Sequence, residues 1–206
     1  MTTIERRGHR VRVLYTPEQI AERNAELARE IGARAGPDLL VIAILKGSFV
    51  FAADLMRALY AADLSPEVEF MSLSSYGAGT ESTGQITVLR DIDSQVKDRT
   101  IVLIDDILES GRTIAYAKDL LAARGASAVY TCVLLDKPGK RAADIDADFV
   151  GFTCPDKFVV GYGMDVAHAF RELPFVGIVE GRAGEGNTGD GNTGDGDGAD
   201  GDDTAG

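Results

Sequence analysis

The residues best suited to chemistry in this 206-residue chain lie in the segment IVLIDDILESGRT, residues 101–113. Its four aliphatic residues predict a buried strand, and the carboxylates of Asp105 and Asp106 are expected where that strand ends. Adjacent carboxylates repel each other and lose solvation energy on burial, so they need compensating ligands. Ionised aspartates only accept hydrogen bonds, which suits the cis-diol of a ribose or a magnesium ion.

A short loop follows the two aspartates and leads directly into a predicted helix over residues 112–124. Small residues at a helix N-terminus expose backbone N–H groups that can bind a phosphate. The loop residues expected to do so are Ser110, Gly111, Arg112 and Thr113. It is not a Walker A loop, because GxxxxGK is absent. A phosphate site beside a diol site predicts a ribose 5-phosphate ligand, and an acidic N-cap cluster on an ordinary helix is the alternative.

Alternating strands and helices must position these residues, and this alternation predicts an α/β fold with a largely parallel sheet. The predicted strands are 10–15, 39–45, 67–73, 86–90, 100–104 and 127–135, and the predicted helices are 17–35, 49–60 and 112–124. Ligands bind beyond the carboxyl ends of strands in such sheets. The segments after Leu45, Leu73, Ile104 and Leu135 are therefore expected to surround one site. Short strands near 148–152, 158–162 and 175–179 indicate an appended subdomain.

Half of the net charge of −12 lies in residues 181–206, which hold seven acidic residues and one basic residue. This segment is rich in Gly and Asp and nearly repeats NTGDG, which predicts a disordered acidic tail after a domain of residues 1–180. A calcium-binding Gly-Asp repeat is the alternative, but the aliphatic position of such repeats is missing. The acidic balance also argues against nucleic acid as a partner.

The sequence contains no segment typical of a membrane span or of a secretory signal. Lys46 interrupts the best apolar candidate, LLVIAILKGSFVF, well short of the roughly 20 residues that a span needs. The N-terminal segment MTTIERRGHRVRV lacks the apolar core of a signal peptide. Cys132 and Cys154 lie in apolar, strand-like surroundings without metal-ligand spacing, so both are predicted to be reduced core residues. These features predict a cytoplasmic protein.

The segment 101–113 resembles the phosphoribosyl-diphosphate motif of type I phosphoribosyltransferases, and four other segments narrow the resemblance to the hypoxanthine-guanine phosphoribosyltransferase family. ILKGSFVFAADL (44–55) is similar to the family's pyrophosphate loop, SLSSYGAGTESTGQ (72–85) to its mobile hood loop, and LLDKPGKR (134–141) to its purine-selecting lysine segment. PDKFVVGYGMDVAHAFRELPFVGIV (155–179) resembles its purine-stacking, metal-binding and C-terminal strand segment. Together the resemblance covers about residues 9–180. It implies a mainly parallel twisted sheet flanked by helices, with a small hood subdomain built from terminal segments.

The resemblance implies a reaction and a set of residue roles. Ribose 5-phosphate would pass from phosphoribosyl diphosphate to N9 of hypoxanthine or guanine, with Mg²⁺ as cofactor, in a homodimer or homotetramer. The residues implied to bind phosphoribosyl diphosphate are Lys46, Gly47, Asp105, Asp106, Ser110, Gly111, Arg112, Thr113 and Arg171. The purine would contact Lys137, Phe158 and Val159, the metal would contact Asp105, Asp106 and Asp165, and the hood loop, about 74–85, would contribute Ser75 and Tyr76. A cis peptide at Leu45–Lys46 is implied as well.

Glu109 departs from the family pattern, because many members carry an aspartate that handles the purine N7 proton at this position. We expect Glu109 to handle that proton with a carboxylate one methylene farther from the backbone. Lys137 would favour 6-oxopurines over adenine, whose 6-amino group is a donor, but it does not order hypoxanthine, guanine and xanthine. Because the longer side chain is a departure, its effect on turnover is open.

A non-catalytic regulator that binds ribose phosphates or nucleotides on the same fold is the alternative function. Such a protein would keep the 105–113 motif, but it would not need Lys46, Lys137, Asp165 and Arg171 together. It would also want a basic surface for RNA, which this acidic chain does not obviously offer. The sequence therefore favours the enzyme.

Overall fold

The structure, a computed structural model, describes residues 2–75 and 86–182, and within these ranges it contains ten strands and three α-helices. The strands are β1 (Thr3–Arg6), β2 (His9–Tyr15), β3 (Leu39–Leu45), β4 (Glu67–Ser75), β5 (Ile86–Arg90), β6 (Thr100–Leu108), β7 (Ala128–Asp136), β8 (Phe149–Thr153), β9 (Val159–Val160) and β10 (Val176–Arg182). The helices are α1 (Pro17–Ala35), α2 (Phe49–Ala61) and α3 (Arg112–Ala123). No helix in these ranges is long and apolar enough to cross a membrane.

The central sheet has six strands in the order β5-β4-β3-β6-β7-β8, and every pair is parallel except β4 with β5. Residues of α1 and α2 pack with alternate residues of β3 on one face, and residues of α3 pack with the others on the opposite face. Because both of its faces are covered, β3 is a continuous aliphatic run, LLVIAIL, and is buried over six of its seven residues. The predicted α/β fold is confirmed.

Helix α1 begins where its sequence predicts, because a capping box closes its first turn. The Thr16 hydroxyl accepts a hydrogen bond from the Gln19 amide at 3.3 Å, and the Gln19 side chain accepts one from the Thr16 amide at 2.9 Å. Pro17 occupies the first turn, where its missing N–H costs no helical hydrogen bond. Sequence-local interactions therefore define this end of the helix.

Strand β6 is longer than its sequence predicts. The predicted strand ends at Ile104, whereas the observed strand continues to Leu108, because Ile107 and Leu108 pair with Leu135 and Asp136 of β7. The two aspartates therefore lie within the last half of a strand, and their backbone is held by a neighbouring strand.

A second, antiparallel sheet has the order β1-β2-β10-β9 and joins N-terminal and C-terminal segments. It encloses a small separate core in which Val11 packs near Phe170 and Leu173. This sheet is the small subdomain that the resemblance implies. The predicted strand near 148–152 is not part of it, because that strand is β8 and pairs with β7 at the edge of the central sheet. Its strand β10 continues to Arg182, two residues past the predicted domain limit. Most of the predicted hood loop (76–85) and the predicted tail from residue 183 onward lie outside the described residues.

Candidate active site

The predicted site residues meet at the carboxyl ends of β3, β6 and β7. Gly47 follows β3 and packs directly against β6, because a Cβ atom at this position would overlap the carboxylate of Asp106. The peptide bond between Leu45 and Lys46 is cis, as the resemblance implies. Lys137 follows β7, and its backbone N–H donates to the Leu108 carbonyl at 2.9 Å. Three strand ends therefore form a single cleft.

The two aspartates are largely buried, with Asp105 only 9% exposed. Oδ1 of Asp105 accepts from the Asp106 amide at 2.9 Å, and Oδ1 of Asp106 accepts from the Ile107 amide at 2.8 Å. Burial, with the charge of Asp106 as a second cause, raises the pKa of Asp105 well above its ordinary value. Burial also raises the pKa of Asp106, and hydrogen bonds to its carboxylate, together with the positive charge of Arg171, oppose this rise. Hydroxyl donors or a cation would stabilise the ionised form of these two carboxylates.

The loop between β6 and α3 surrounds a cavity of about 110 Å³ at the helix N-terminus. The cavity is lined by Asp105, Ile107, Leu108, Glu109, Ser110, Gly111, Thr113 and Ile114. Gly111 caps α3 with a φ of 77°, a left-handed conformation that favours glycine. A Cβ atom there would approach Cγ2 of Ile145 to 2.6 Å, so this position has no room for a side chain. Arg112 is exposed on the first turn of the helix. The loop therefore combines a left-handed glycine with hydroxyl side chains at a helix N-terminus, an arrangement that can bind a phosphate.

Arg141 holds this loop in place and was missed in the sequence analysis. Its Nη1 donates to the carbonyls of Leu108 and Glu109, both at 2.9 Å, and its Nη2 donates to the Asp136 carboxylate at 2.5 Å. The Ser110 carbonyl accepts from two backbone amides just after Arg141, at 2.8 and 3.0 Å. The only sequence signal for Arg141 is its place in the segment LLDKPGKR, four residues after Lys137.

A larger cavity of about 420 Å³ adjoins the phosphate loop. It is lined by Asp106, Ile107, Glu109, Lys137, Lys140, Asp156, Lys157, Phe158, Val159, Met164 and Asp165. The Phe158 ring is 57% exposed and therefore has a face available for stacking, whereas Val159 is buried. The structure thus brings all three predicted purine-binding residues to one cavity.

Glu109 lines both cavities and is paired with the predicted purine-selecting lysine. Its Oε1 lies 2.9 Å from Nζ of Lys137 and 3.6 Å from Nζ of Lys140. Lys140 is also paired with Asp156 at 2.8 Å. Lys137 is only 8% exposed, so its charge is stabilised mainly by Glu109. The Glu109–Lys137 pair was not foreseen in the sequence analysis.

Arg171 and Asp165 form an ion pair, with Nη2 and Oδ1 2.5 Å apart. Nη1 of Arg171 donates to the Gly163 carbonyl at 2.6 Å, and a Cβ atom on Gly163 would overlap the Gly47 carbonyl oxygen. Oδ2 of Asp165 accepts from the His168 amide at 2.8 Å. The segment that carries Arg171 therefore packs against the loop that the sequence assigns to pyrophosphate.

The side chains at this site that could hold a metal are the predicted carboxylates of Asp105, Asp106 and Asp165. Within residues 2–75 and 86–182, no three His, Cys, Asp or Glu side chains cluster as a metal site. Mg²⁺ is commonly bound by one or two carboxylates together with substrate phosphates and waters. The Asp105–Asp106 pair fits that pattern. Of the hood-loop residues, Ser75 ends β4, and Tyr76 lies outside the described residues.

Comparisons with known proteins identify the family of the chain. Residues 13–167 match the family model described as a phosphoribosyl transferase domain. Hypoxanthine phosphoribosyltransferase of Escherichia coli K12 is 39% identical over 174 residues, which cover 83% of this chain and 96% of that protein. A Staphylococcus aureus hypoxanthine phosphoribosyltransferase structure has a TM-score of 0.77 at 39% identity and covers 82% of this chain and 90% of that one. A Bacillus anthracis hypoxanthine-guanine phosphoribosyltransferase structure has a TM-score of 0.74 at 43% identity and covers 81% and 97%. These matches show that the chain belongs to the family of hypoxanthine and hypoxanthine-guanine phosphoribosyltransferases.

Proposed function

We propose that this protein transfers ribose 5-phosphate from phosphoribosyl diphosphate to N9 of hypoxanthine or guanine and releases pyrophosphate. The observation that carries the proposal is the position of Glu109 between two adjoining cavities. The smaller cavity has the backbone and hydroxyl groups of a phosphate site, and the larger one has a lysine and an exposed aromatic face. A ribose phosphate in the first and a base in the second would bring C1′ and N9 together near Glu109.

Positive and backbone donor groups would bind the phosphates of phosphoribosyl diphosphate. The 5-phosphate would be bound by Ser110, Gly111, Arg112 and Thr113, and the pyrophosphate by Lys46, Gly47 and Arg171. Because charge builds on the pyrophosphate as it leaves, the cations of this second group would stabilise the transition state more than the ground state. Asp105 and Asp106 would bind the ribose hydroxyls, whose hydrogens compensate the buried carboxylates.

The larger cavity would select a 6-oxopurine through Lys137. Its ammonium would donate to O6, whereas the 6-amino group of adenine would place a donor against a donor. Phe158 would stack on the base, and the backbone of Val159 would contact the purine edge. Lys137 is paired with Glu109, so O6 would have to replace or share the carboxylate as its acceptor. Because an ammonium group has three N–H donors, Lys137 could bind O6 and Glu109 together.

Glu109 would accept or donate the N7 proton as N9 forms its bond to the ribose. A positioned carboxylate of this kind contributes about 10²–10⁴-fold to a rate. The position of Glu109 between the two cavities supports this role, because it places the carboxylate beside both proposed ligands.

Mg²⁺ is the cofactor that the carboxylate pair would accommodate, and when bound it would supply positive charge to the pyrophosphate. Asp105 and Asp106 would hold it, directly or through the ribose hydroxyls. Asp165 is proposed as a ligand of a second Mg²⁺. Both of its oxygens already have partners, Arg171 and the His168 amide, so it would share or exchange one of them on binding metal.

Further features are proposed from the resemblance, and others from the composition of the sequence. The hood loop, with Ser75 and Tyr76, would close over the site and exclude water from the reacting centre. The catalytic domain would end near residue 180 and be followed by a separate acidic tail. We also propose a homodimer or homotetramer in the cytoplasm, with no nucleic-acid or membrane partner.

The decisive experiment follows nucleotide formation by the purified full chain with Mg²⁺ and phosphoribosyl diphosphate. Hypoxanthine, guanine, xanthine and adenine are supplied in turn. We expect product from hypoxanthine or guanine and none from adenine. Absence of product from every 6-oxopurine would refute the proposal. If the protein then still binds phosphoribosyl diphosphate by calorimetry, the non-catalytic regulator becomes the better assignment.

A further inference from the structure

The hairpin of β1 and β2 carries a concentrated positive charge on an otherwise acidic protein. Residues 3–12 hold four arginines and one glutamate, a net charge of +3 in a chain of −12, so all other residues together carry −15. Arg6, Arg7 and Arg10 are exposed and surround the turn of this hairpin. We call these three residues the arginine hairpin.

The cations of the arginine hairpin have no ion-pair partner among the residues that the structure describes. Arg12, next along β2, is paired with Glu180 of β10 at 2.5 Å. Arg6, Arg7 and Arg10, in contrast, make no ion pair with any residue in the described ranges. Glu5, which is opposite Arg10 in the register, is the one acidic residue of residues 3–12. A net positive charge therefore remains, which an anion would stabilise.

The strand register places the end of β10 beside the arginine hairpin. His9 of β2 pairs with Arg6 on one side and with Arg182 on the other. Neighbouring strands are about 4.8 Å apart, so the backbone of Arg182 lies about 10 Å from that of Arg6. Residues 183–206 follow Arg182 directly and contain seven acidic residues and no basic one. The most acidic segment of the chain therefore starts beside its most basic surface.

The length of the acidic segment is sufficient for contact. Glu185, its first acidic residue, is three residues beyond Arg182, and an extended chain of that length spans about 10 Å. The other six acidic residues, from Asp190 to Asp203, lie farther along and have a longer reach. Because the acidic segment is tethered this closely, its effective concentration at the arginine hairpin is on the order of millimolar.

We propose that the acidic segment 183–206 binds the arginine hairpin and keeps other polyanions away from it. The association is electrostatic and salt-sensitive, because the charges are exposed and the screening length is about 10 Å at 0.1 M salt. It does not depend on the proposed function, since β1 and β2 lie at the opposite edge of the small sheet from β9, whose Val159 lines the base cavity. Transfer activity is therefore expected to be the same with and without the segment.

A spin label at the end of the chain tests the contact directly. Cys132 and Cys154 are 0% and 3% exposed, so a nitroxide reacts selectively with an Ala205→Cys variant. At about 25 mM salt we expect the amide NMR signals of β1 and β2 to weaken about twofold relative to those of α2, and to recover at about 500 mM. Even intensities across β1, β2 and α2 at low salt would overturn the proposal.

Two triple variants separate a specific contact from a general charge effect. Arg6→Gln, Arg7→Gln and Arg10→Gln together remove the arginine hairpin, and Arg29→Gln, Arg57→Gln and Lys97→Gln together remove three exposed cations elsewhere. We expect the first triple variant to abolish the signal loss and the second to preserve it. Equal attenuation in both variants would mean that the contact does not involve the arginine hairpin.

Binding of single-stranded DNA supplies a second readout. We expect a chain that ends at Arg182 to bind this polyanion about tenfold more tightly at low salt than the full chain does. The gain should disappear when the arginine hairpin is also removed, and it should persist in the control triple variant. If both triple variants lower the affinity equally, net charge accounts for the effect and the proposal is wrong.

Discussion

Replacing Glu109 with Gln removes one charge and one proton-accepting group while keeping the shape of the side chain. In the structure Oε1 of Glu109 lies 2.9 Å from Nζ of Lys137, and glutamine retains an oxygen acceptor for that ammonium. The substitution therefore tests proton transfer with little change in packing. Glu109 is 40% exposed, so the chain should still fold.

The expected effect on the rate is much larger than the expected effect on stability. Loss of a general acid or base lowers a rate by about 10²–10⁴-fold, which corresponds to about 2.7–5.4 kcal/mol of barrier. Loss of a partly exposed ion pair costs only about 0.2–1 kcal/mol, which lowers Tm by no more than about 4 °C in a chain of this size. Because the two effects differ this much, one cannot account for the other.

Steady-state kinetics with hypoxanthine and a thermal melt measure both quantities. We expect Glu109→Gln to lower kcat by at least about 10²-fold. The KM of the base should be unchanged, because glutamine keeps an acceptor for Lys137 and the ammonium still has a donor for O6. Glu109→Asp restores the residue that many family members carry and should retain kcat or raise it. The matched control is Asp156→Asn, which removes a carboxylate 2.8 Å from Lys140 in the same cavity lining.

If Glu109 transfers the proton, Glu109→Gln must lower kcat much more than Asp156→Asn does. Asp156→Asn should stay within about threefold of the parent kcat, because a surface charge alters the local potential only modestly. An unchanged kcat in Glu109→Gln would remove Glu109 from proton transfer. Equal losses of kcat in both variants would show that the reaction needs negative charge in the lining of this cavity and not a proton acceptor at Glu109.

Three further predictions concern the base, the pyrophosphate loop and the thiols. Lys137→Met should lower kcat/KM for hypoxanthine and guanine by about 10–100-fold through the loss of a charged hydrogen bond, and unchanged kinetics would exclude contact with O6. Gly47→Ala should lower kcat/KM for phosphoribosyl diphosphate about tenfold or more, since its Cβ would displace the Asp106 carboxylate; wild-type kinetics would contradict this packing. Burial raises the pKa of Cys132 and of Cys154, so neither thiolate forms readily. At about pH 8 a thiol reagent should label neither cysteine in the native protein and both after denaturation, and fast native labelling would disprove their burial.

Much of the fold follows from local signals in the sequence. The predicted strand 39–45 and the predicted helix 17–35 coincide with β3 and α1, because a continuous aliphatic run and a capping box act over a few residues. Strand β1 was not predicted, since its residues TIER are mostly exposed and show no apolar alternation. It forms only because β2 offers a partner across the turn.

The residues of the site likewise fall into two groups: those that sequence motifs predict, and those whose roles depend on tertiary contacts. The ribose-phosphate motif was recognisable because its residues are contiguous, and the remaining residues were recognisable as family motifs. The length of β6 was underestimated, because the pairing of Ile107 and Leu108 with β7 is a tertiary contact. Arg141 was missed because no local pattern in a polar loop distinguishes a basic side chain that binds backbone carbonyls from one that is solvated.

Residue types and their order in the chain specify the chemistry that this protein can perform: carboxylates for a diol or a cation, a helix N-terminus for a phosphate, and a lysine for O6. Packing specifies which of these groups meet. Glu109 and Lys137 are 28 residues apart in sequence and touch because β6 and β7 are neighbours. Gly47 and Asp106 touch because β3 and β6 are neighbours as well. The register of parallel strands is set by burial of the whole sheet, so no short segment of the sequence encodes these contacts.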